Sequence, residues 1–410
     1  MKKRGIALLL CLGLLIGLSM PLQSLAEEDV IRIGLIEPLS GPLARLGAEE
    51  VRGADIALAE INAAGGINGK KVEWVRADAP TPDAAVSETE RLITVEGVKV
   101  IMGSYSSGVA YAGSAVAEKN KVVWWENSGV ATNITERGFQ YLFRYGVTGS
   151  ALGVTQADII NDLVAQKVGK APQDLKIALI YEDSAYGTSV AEGCRKRAGE
   201  LGLNIVVDEG YNKDATDLSS LIMKMRQAEA DVMAPTTYVA DALLLFRQMQ
   251  ELNYKPLAVV MGANSVQDLK NALGDDINGL IHSDLTQPRT NEAAAKGLAA
   301  YIEEYRRVHN EEPWSAHSIR AYAGAKVLFD VIARAGSVDP DAVAAAAERD
   351  VHPMPAERAS RHHAAASRHR IYRRETLTWL PYERSKPSIA MPAASMPRSA
   401  FVGTSTGTSS

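Results

Sequence analysis

Ser104-Tyr105-Ser106-Ser107-Gly108 is the stretch of this sequence best suited to hold a small charged group. An apolar run, Val98 to Met102, leads into it, and a helix-compatible segment, Val109 to Lys119, follows at once. A strand that gives way through small hydroxyl and glycine residues to a helix start leaves backbone N–H groups unpaired. They point outward, backed by the positive end of the helix dipole. Such a turn suits an anion, and a carboxylate is the commonest candidate. Similar polar turns follow apolar runs at 126–130, 182–187, 236–238 and 262–265.

The same residues argue against catalysis. Around Ser106 a Gly-x-Ser-x-Gly elbow fails, because Ser104 stands where the first glycine belongs. Gly69-Lys70 is not a phosphate loop, since Ala64 and Lys71 occupy the positions that need glycine and Ser or Thr. In the body of the chain the histidines are His282, His309 and His317, none paired at metal-ligand spacing. The expectation is a binding protein with no catalytic residue, metal or cofactor.

The elements that position these turns read as alternating strands and helices. Ile31–Ile36, Lys71–Arg76, Val98–Met102, Val122–Glu126 and Tyr141–Arg144 are apolar runs of strand length. Between the first two, Val51, Ala54, Leu58 and Ile61 mark one face of a helix that stops at Gly65-Gly66. After Ser150 the pattern restarts, with strands at 176–181, 204–207, 231–235 and 257–261. Residues 279–282 read as a crossing strand, and 291–310 and 318–335 as long helices. Trp124 and Trp125 are adjacent, so one is expected to face the core and the other outward. Short connections of this kind imply an α/β fold built from two parallel sheets, each covered on both faces. Ligands of open α/β sheets sit beyond the carboxyl ends of the strands, which is where the polar turns lie.

Both ends of the chain stand apart. Lys2, Lys3 and Arg4 precede an apolar run from Ile6 to Met20, and Ser24-Leu25-Ala26 follows, the pattern of a secretory signal peptide over residues 1–26. Export as a soluble protein is the expectation. Its removal shifts the formal charge from −5 to −8 and takes away Cys11, leaving Cys194 alone and no internal disulfide. A net acidic chain gives no reason to expect nucleic acid. From His352 to Ser410 the character changes: nine Lys and Arg face three Glu, and apolar periodicity disappears. Residues 352–410 read as a basic tail, either a disordered extension or a segment translated in a shifted frame.

The opening strand and helix, Gly65-Gly-Ile-Asn-Gly69, the Ser-rich turn and Thr135-Glu-Arg-Gly-Phe-Gln-Tyr-Leu-Phe-Arg144 together resemble one family. It is the periplasmic substrate-binding proteins of ABC importers, of the branched-chain amino-acid (Leu/Ile/Val) type, and the similarity runs from about Ile31 to Asp350. The resemblance implies two Rossmann-like lobes joined by a multi-segment hinge, the type I periplasmic-binding-protein fold. Lobe one would be 27–147 plus 280–351, and lobe two 148–279. Ligand contacts would come from Ser106, Ser107, Ser128, Gly129 and Val130 in lobe one, and from Tyr186 and Tyr238 in lobe two. Asn264 aligns where the family carries a glutamate for the ligand's ammonium, and Glu126 is the residue expected to compensate. Pro80 and Ser106 stand where relatives carry disulfide cysteines. The implied partners are a small-molecule ligand and the permease subunits of an ABC transporter, with the binding protein itself a monomer. A short amide, an aromatic or organic carboxylate, or a ligand-sensing role for a receptor are the alternatives.

Overall fold

The computed structural model describes residues 30–262, 266–283, 286–349 and 371–372. The expected signal peptide, Asn264, and the basic tail apart from Ile371-Tyr372 lie outside the described residues.

Two parallel sheets organise the chain. The first contains β1 (Ile31–Glu37), β2 (Val72–Asp78), β3 (Val100–Gly103), β4 (Val123–Glu126) and β5 (Leu142–Tyr145), with the two-residue β11 (Ile371–Tyr372) at its edge. Its order is β11-β5-β4-β3-β1-β2. The second contains β6 (Lys176–Glu182), β7 (Asn204–Tyr211), β8 (Val232–Thr236), β9 (Ala258–Gly262) and β10 (Leu280–Ser283), in the order β10-β9-β8-β6-β7. Every pairing is parallel. The sequence reading joined residues from 280 onward to the first unit. Instead β10 pairs with β9, Leu280 opposite Val259 and Ser283 opposite Gly262, so the chain leaves the second sheet after Ser283. Strand partnership is a long-range property that a short apolar run does not carry.

Helices cover both faces of each sheet. In the first unit α1 (Ala44–Ala63) and, late in the chain, α10 (Leu298–His309), α11 (Ala316–Ala335) and α12 (Pro340–Glu348) are built against one face. Ile33, Leu35, Val100, Val123, Trp125 and Phe143 meet Tyr301, Tyr305, Ile319, Leu328 and Val343 there. On the other face Ile36, Ile101, Trp124 and Leu142 pack with α2 (Pro82–Thr94) and α3 (Ser107–Lys119). Trp124 and Trp125 are therefore both fully buried, on opposite faces. The expectation that one faces outward fails because a doubly covered sheet has no outward face.

Around the second sheet stand α4 (Gly149–Ile159), which runs through a π turn at Ile160–Val164 into α5 (Ala165–Val168), then α6 (Ala185–Leu201), α7 (Ser219–Gln227), α8 (Val239–Glu251) and α9 (Val266–Leu273). Two close approaches fix the packing that matters for the site. A Cβ at Gly53, in the middle of α1, would overlap the Ser318 carbonyl, so glycine lets α11 lie against α1 at backbone distance. Glycine inside a helix costs about 1 kcal/mol, and here close helix contact offsets it. The second approach is Gly129, described below.

Candidate ligand-binding cleft

The Ser-rich turn and α3 form the first wall. Ser106 stands at the N-cap of α3 in extended backbone, and its side chain does not cap the helix. The Ser106 carbonyl accepts from Ala110 N at 2.9 Å. The N–H groups of Ser107, Gly108 and Val109 find no acceptor among the described residues. Three donors and a helix dipole thus converge where Ser106 presents its hydroxyl. Ser107 plays another part: buried, it accepts from Ala131 N at 3.1 Å and ties α3 to the loop after β4.

Glutamates at strand ends hold the turns from beneath. Glu37 ends β1, and its Oε2 accepts from Tyr105 N at 2.8 Å. Glu126 ends β4, and its Oε1 accepts from Gly129 N at 2.6 Å, Ser128 N at 3.0 Å and Ser104 N at 3.3 Å. Its Oε2 takes the Trp124 indole N–H at 2.9 Å. The side chain is fully buried. Burial pushes the carboxyl up to about 7, against the Trp124 indole and the positive charge of Arg144. Arg144, itself buried, is lowered to about 10 by desolvation while the Glu126 charge holds it up. The compensating contact expected of Glu126 is therefore not what the structure provides. Its oxygens turn inward, committed to two turns of its own unit. Gly129 belongs to the same arrangement, since a Cβ there would sit 2.9 Å from Ala110 Cβ and 3.0 Å from Glu126 Oε1. Ser128 is buried beside it, with its carbonyl accepting from Arg320 Nη1 at 3.4 Å.

The second wall repeats the device. Glu182 ends β6, and its carboxylate accepts from Gly187 N at 2.6 Å, Ser184 Oγ at 2.7 Å and Ser184 N at 2.8 Å. Burial raises its carboxyl too, against those hydrogen bonds. Ser184 in turn caps α6 through Tyr186 N at 3.3 Å. Asp241, in the first turn of α8, accepts from the Tyr211 hydroxyl at 2.7 Å, and burial pushes it up to about 6.

Aromatic rings close the space between the walls. Tyr238, at the N-cap of α8, lies 5.3 Å from Tyr186 and 6.4 Å from Tyr105, ring centre to ring centre. Its phenol lies near Ser184 on its own side and Ser106 across the cleft. Burial, and then the Glu182 charge, raise that phenol well above its ordinary value. Tyr105 meets His317 edge to face at 4.8 Å. Val130 packs with Leu152, Tyr186 and Val190, joined by Tyr238, so its side chain belongs to an apolar contact between the units. Thr132 Oγ1 and Ser189 Oγ share a hydrogen bond of 2.7 Å, and Arg45 pairs with Asp268 at 2.5 Å. A cavity of about 370 Å³ lies to one side, where the chain passes between the units, lined by Tyr145, Val147, Leu152, Ser283, Thr286 and Arg320.

The structure thus brings Ser106 to Tyr238 and Tyr186, sets Ser107, Ser128 and Gly129 behind the first wall, and gives Val130 to the interunit contact. Sequence reasoning missed Tyr105, Ser184, Glu37 and His317. Tyr105 and Ser184 lay inside turns already singled out, so position was signal enough. His317 reaches the site only because α11 folds back onto α1. No cluster of three or more His, Cys, Asp or Glu able to hold a metal occurs among the described residues. None of their helices is long and apolar enough to cross a membrane.

A family model described as periplasmic binding protein matches residues 30–372, beyond the composition break at His352 and further than the sequence reading placed the resemblance. A Leu/Ile/Val-binding protein homolog from Brucella abortus is 40% identical over 342 residues, 83% of this chain and 85% of the relative. The branched-chain amino-acid transporter substrate-binding protein LivJ of Streptococcus pneumoniae, solved with isoleucine, superposes with a TM-score of 0.65 at 27% identity, covering 77% of this chain and 87% of that one. A solute-binding protein of an ABC transporter from R. palustris, solved with 4-hydroxybenzoate, shares the fold with a TM-score of 0.68 at 21% identity, covering 78% and 84%. Paired parallel sheets, polar turns facing each other across a cleft and a match over most of the chain agree: it belongs to the periplasmic binding protein family, with the type I fold and of the branched-chain amino-acid type.

Proposed function

We propose that this protein is the solute-binding component of an ABC importer and captures an apolar, branched-chain amino acid between two lobes. The observation that carries the reading is the α3 N-terminus. Ser106 and the open N–H groups of Ser107, Gly108 and Val109 suit a carboxylate, and Tyr238 meets them from the opposite unit. In this reading Ser128 and Gly129 shape the floor, while Val130, Tyr186 and Tyr238 meet the ligand's side chain. The lobes are residues up to about 147 with the helices after Ser283, and the part between. Ligand contacts from both lobes stabilise the closed state, and hinge opening releases the ligand to the permease. The protein works after export to the periplasm and removal of residues 1–26, as a monomer, and performs no catalysis.

One observation favours a second reading. The row His317, Tyr105, Tyr238, Tyr186 gives the cleft aromatic walls, which suit a flat carboxylate such as the 4-hydroxybenzoate held by the R. palustris protein. A thermal-shift panel of leucine, isoleucine, valine, their keto acids, short amides and hydroxybenzoates separates the two. The amino-acid reading expects the largest stabilisation from leucine, isoleucine or valine; stabilisation by benzoates alone rejects it in favour of the second.

A further inference from the structure

An amino acid brings an ammonium to the cleft as well as a carboxylate, and the ammonium needs hydrogen-bond acceptors. The buried carboxylates nearest the cleft each accept from a donor of their own unit, while Glu37 Oε1 and Asp241 Oδ1 keep no hydrogen-bond partner among the described residues. Glu126 and Glu182 hold loop amides, Glu37 holds Tyr105 N, and Asp241 holds the Tyr211 hydroxyl. His317 differs from them. It is the second residue of α11, and α11 reaches α1 closely because Gly53 has no side chain. Its Nδ1 is buried without a hydrogen-bond partner among the described residues, and Glu50 Oε1 stands 3.3 Å away, within ion-pair distance but outside hydrogen-bond geometry, while the side chain as a whole keeps 16% exposure. The accessible part of the ring is thus its Nε2 side, beside Tyr105 and the row of rings between the units. Glu50 is fully buried, and its other oxygen accepts from Asn127 Nδ2 at 2.8 Å, which fixes the carboxylate in place. An imidazole with its proton on Nδ1, facing a carboxylate, keeps its lone pair on Nε2 and becomes a better acceptor there.

We propose that His317, oriented by Glu50, accepts a hydrogen bond from the ligand's ammonium through Nε2 and selects amino acids over the matching keto and hydroxy acids. The proposal rests on the amino-acid reading above. His317 is the contact, and Glu50 is a positioning residue that acts through it. Together they place a negative charge one ring away from the ammonium. Tyr105 packs edge-on against the imidazole.

The test is calorimetric titration of the full mature chain with leucine, 4-methyl-2-oxopentanoate and 2-hydroxy-4-methylpentanoate. His317→Ala is expected to weaken leucine about tenfold or more and the keto acid no more than about threefold, the size of one lost charge-assisted hydrogen bond. Glu50→Gln is expected to narrow the same ratio by a smaller factor. His317→Phe keeps the packing against Tyr105 and is expected to behave like His317→Ala. The proposal is overturned if His317→Ala leaves the ratio unchanged, whether both affinities hold or both fall together. It is overturned equally if His317→Phe retains full discrimination. A wild-type chain that binds the keto acid but not leucine overturns it while leaving a carboxylate-binding cleft. One that binds none of the apolar amino acids or their keto acids overturns the functional reading, and the proposal with it.

Discussion

The two walls of the cleft use one device under different electrostatic conditions. In the first unit Glu126 gathers three backbone amides and an indole, and the Arg144 charge lies close enough to stabilise its anion. In the second, Glu182 gathers two amides and a hydroxyl, and Asp183 is the charge that bears on it, with the wrong sign. A buried carboxylate is tolerated when its lone pairs are used, and it is better tolerated when a cation is near. With more donors gathered on its glutamate, the first wall is expected to be the more firmly built of the two. That asymmetry suits a clamp in which one face is a fixed cradle and the other brings a mobile ring to it.

The largest expected effect comes from removing the cradle's staple. Glu126→Ala leaves three buried amides and an indole without their acceptor, and about 3–5 kcal/mol of stability should go. Glu182→Ala strands fewer donors and no cation, so about 1–3 kcal/mol is expected. Urea unfolding of both variants tests the ranking, and an equal or larger loss from Glu182→Ala would erase the contrast.

The pH dependence of stability is next in size. Burial raises the folded-state Glu126 carboxyl from 4.5 to about 7, so the folded chain keeps a proton that the unfolded chain has released. Its contribution is full below about 4.5 and is lost as the pH rises through about 7, up to about 3 kcal/mol in all. Asp241, raised to about 6, acts in the same direction with a smaller shift. Unfolding free energies measured from pH 5 to pH 8 should fall, and Glu126→Gln should flatten part of that slope; Glu37, whose carboxyl burial and then the Glu50 charge push well above 4.5, supplies another part. A slope unaltered in Glu126→Gln would contradict the assignment.

Gly129→Ala comes after these. The new methyl must displace Ala110 or the Glu126 carboxylate, at a cost of about 1–3 kcal/mol. A neutral result in thermal unfolding would mean that the turn is looser than the hydrogen bonds imply.

Most of the scaffold was legible because its signals are local. Runs such as Lys176–Tyr181 must be buried strands, and Ser106, Tyr186 and Tyr238 follow strand ends, where an α/β sheet puts its ligands. What was not legible depends on direction or distance. The sequence places Glu126 at a strand end but does not say whether its side chain turns toward the cleft or back onto the amides. Leu280–Ser283 reads as a strand but carries no mark of its partner. His317 lies more than two hundred residues from Tyr105 in sequence, and only the packing of α11 on α1 through Gly53 brings them together.

The central claim is that one ligand is held by the α3 N-terminus on one side and by Tyr238 on the other. Calorimetric titration of leucine into the wild type, Ser106→Ala and Tyr238→Phe tests it most directly. The account predicts one site per chain in the wild type and about 5–10-fold weaker binding in each variant, the size of one neutral hydrogen bond or slightly more. Wild-type leucine affinity in both variants, despite a filled site, would contradict it.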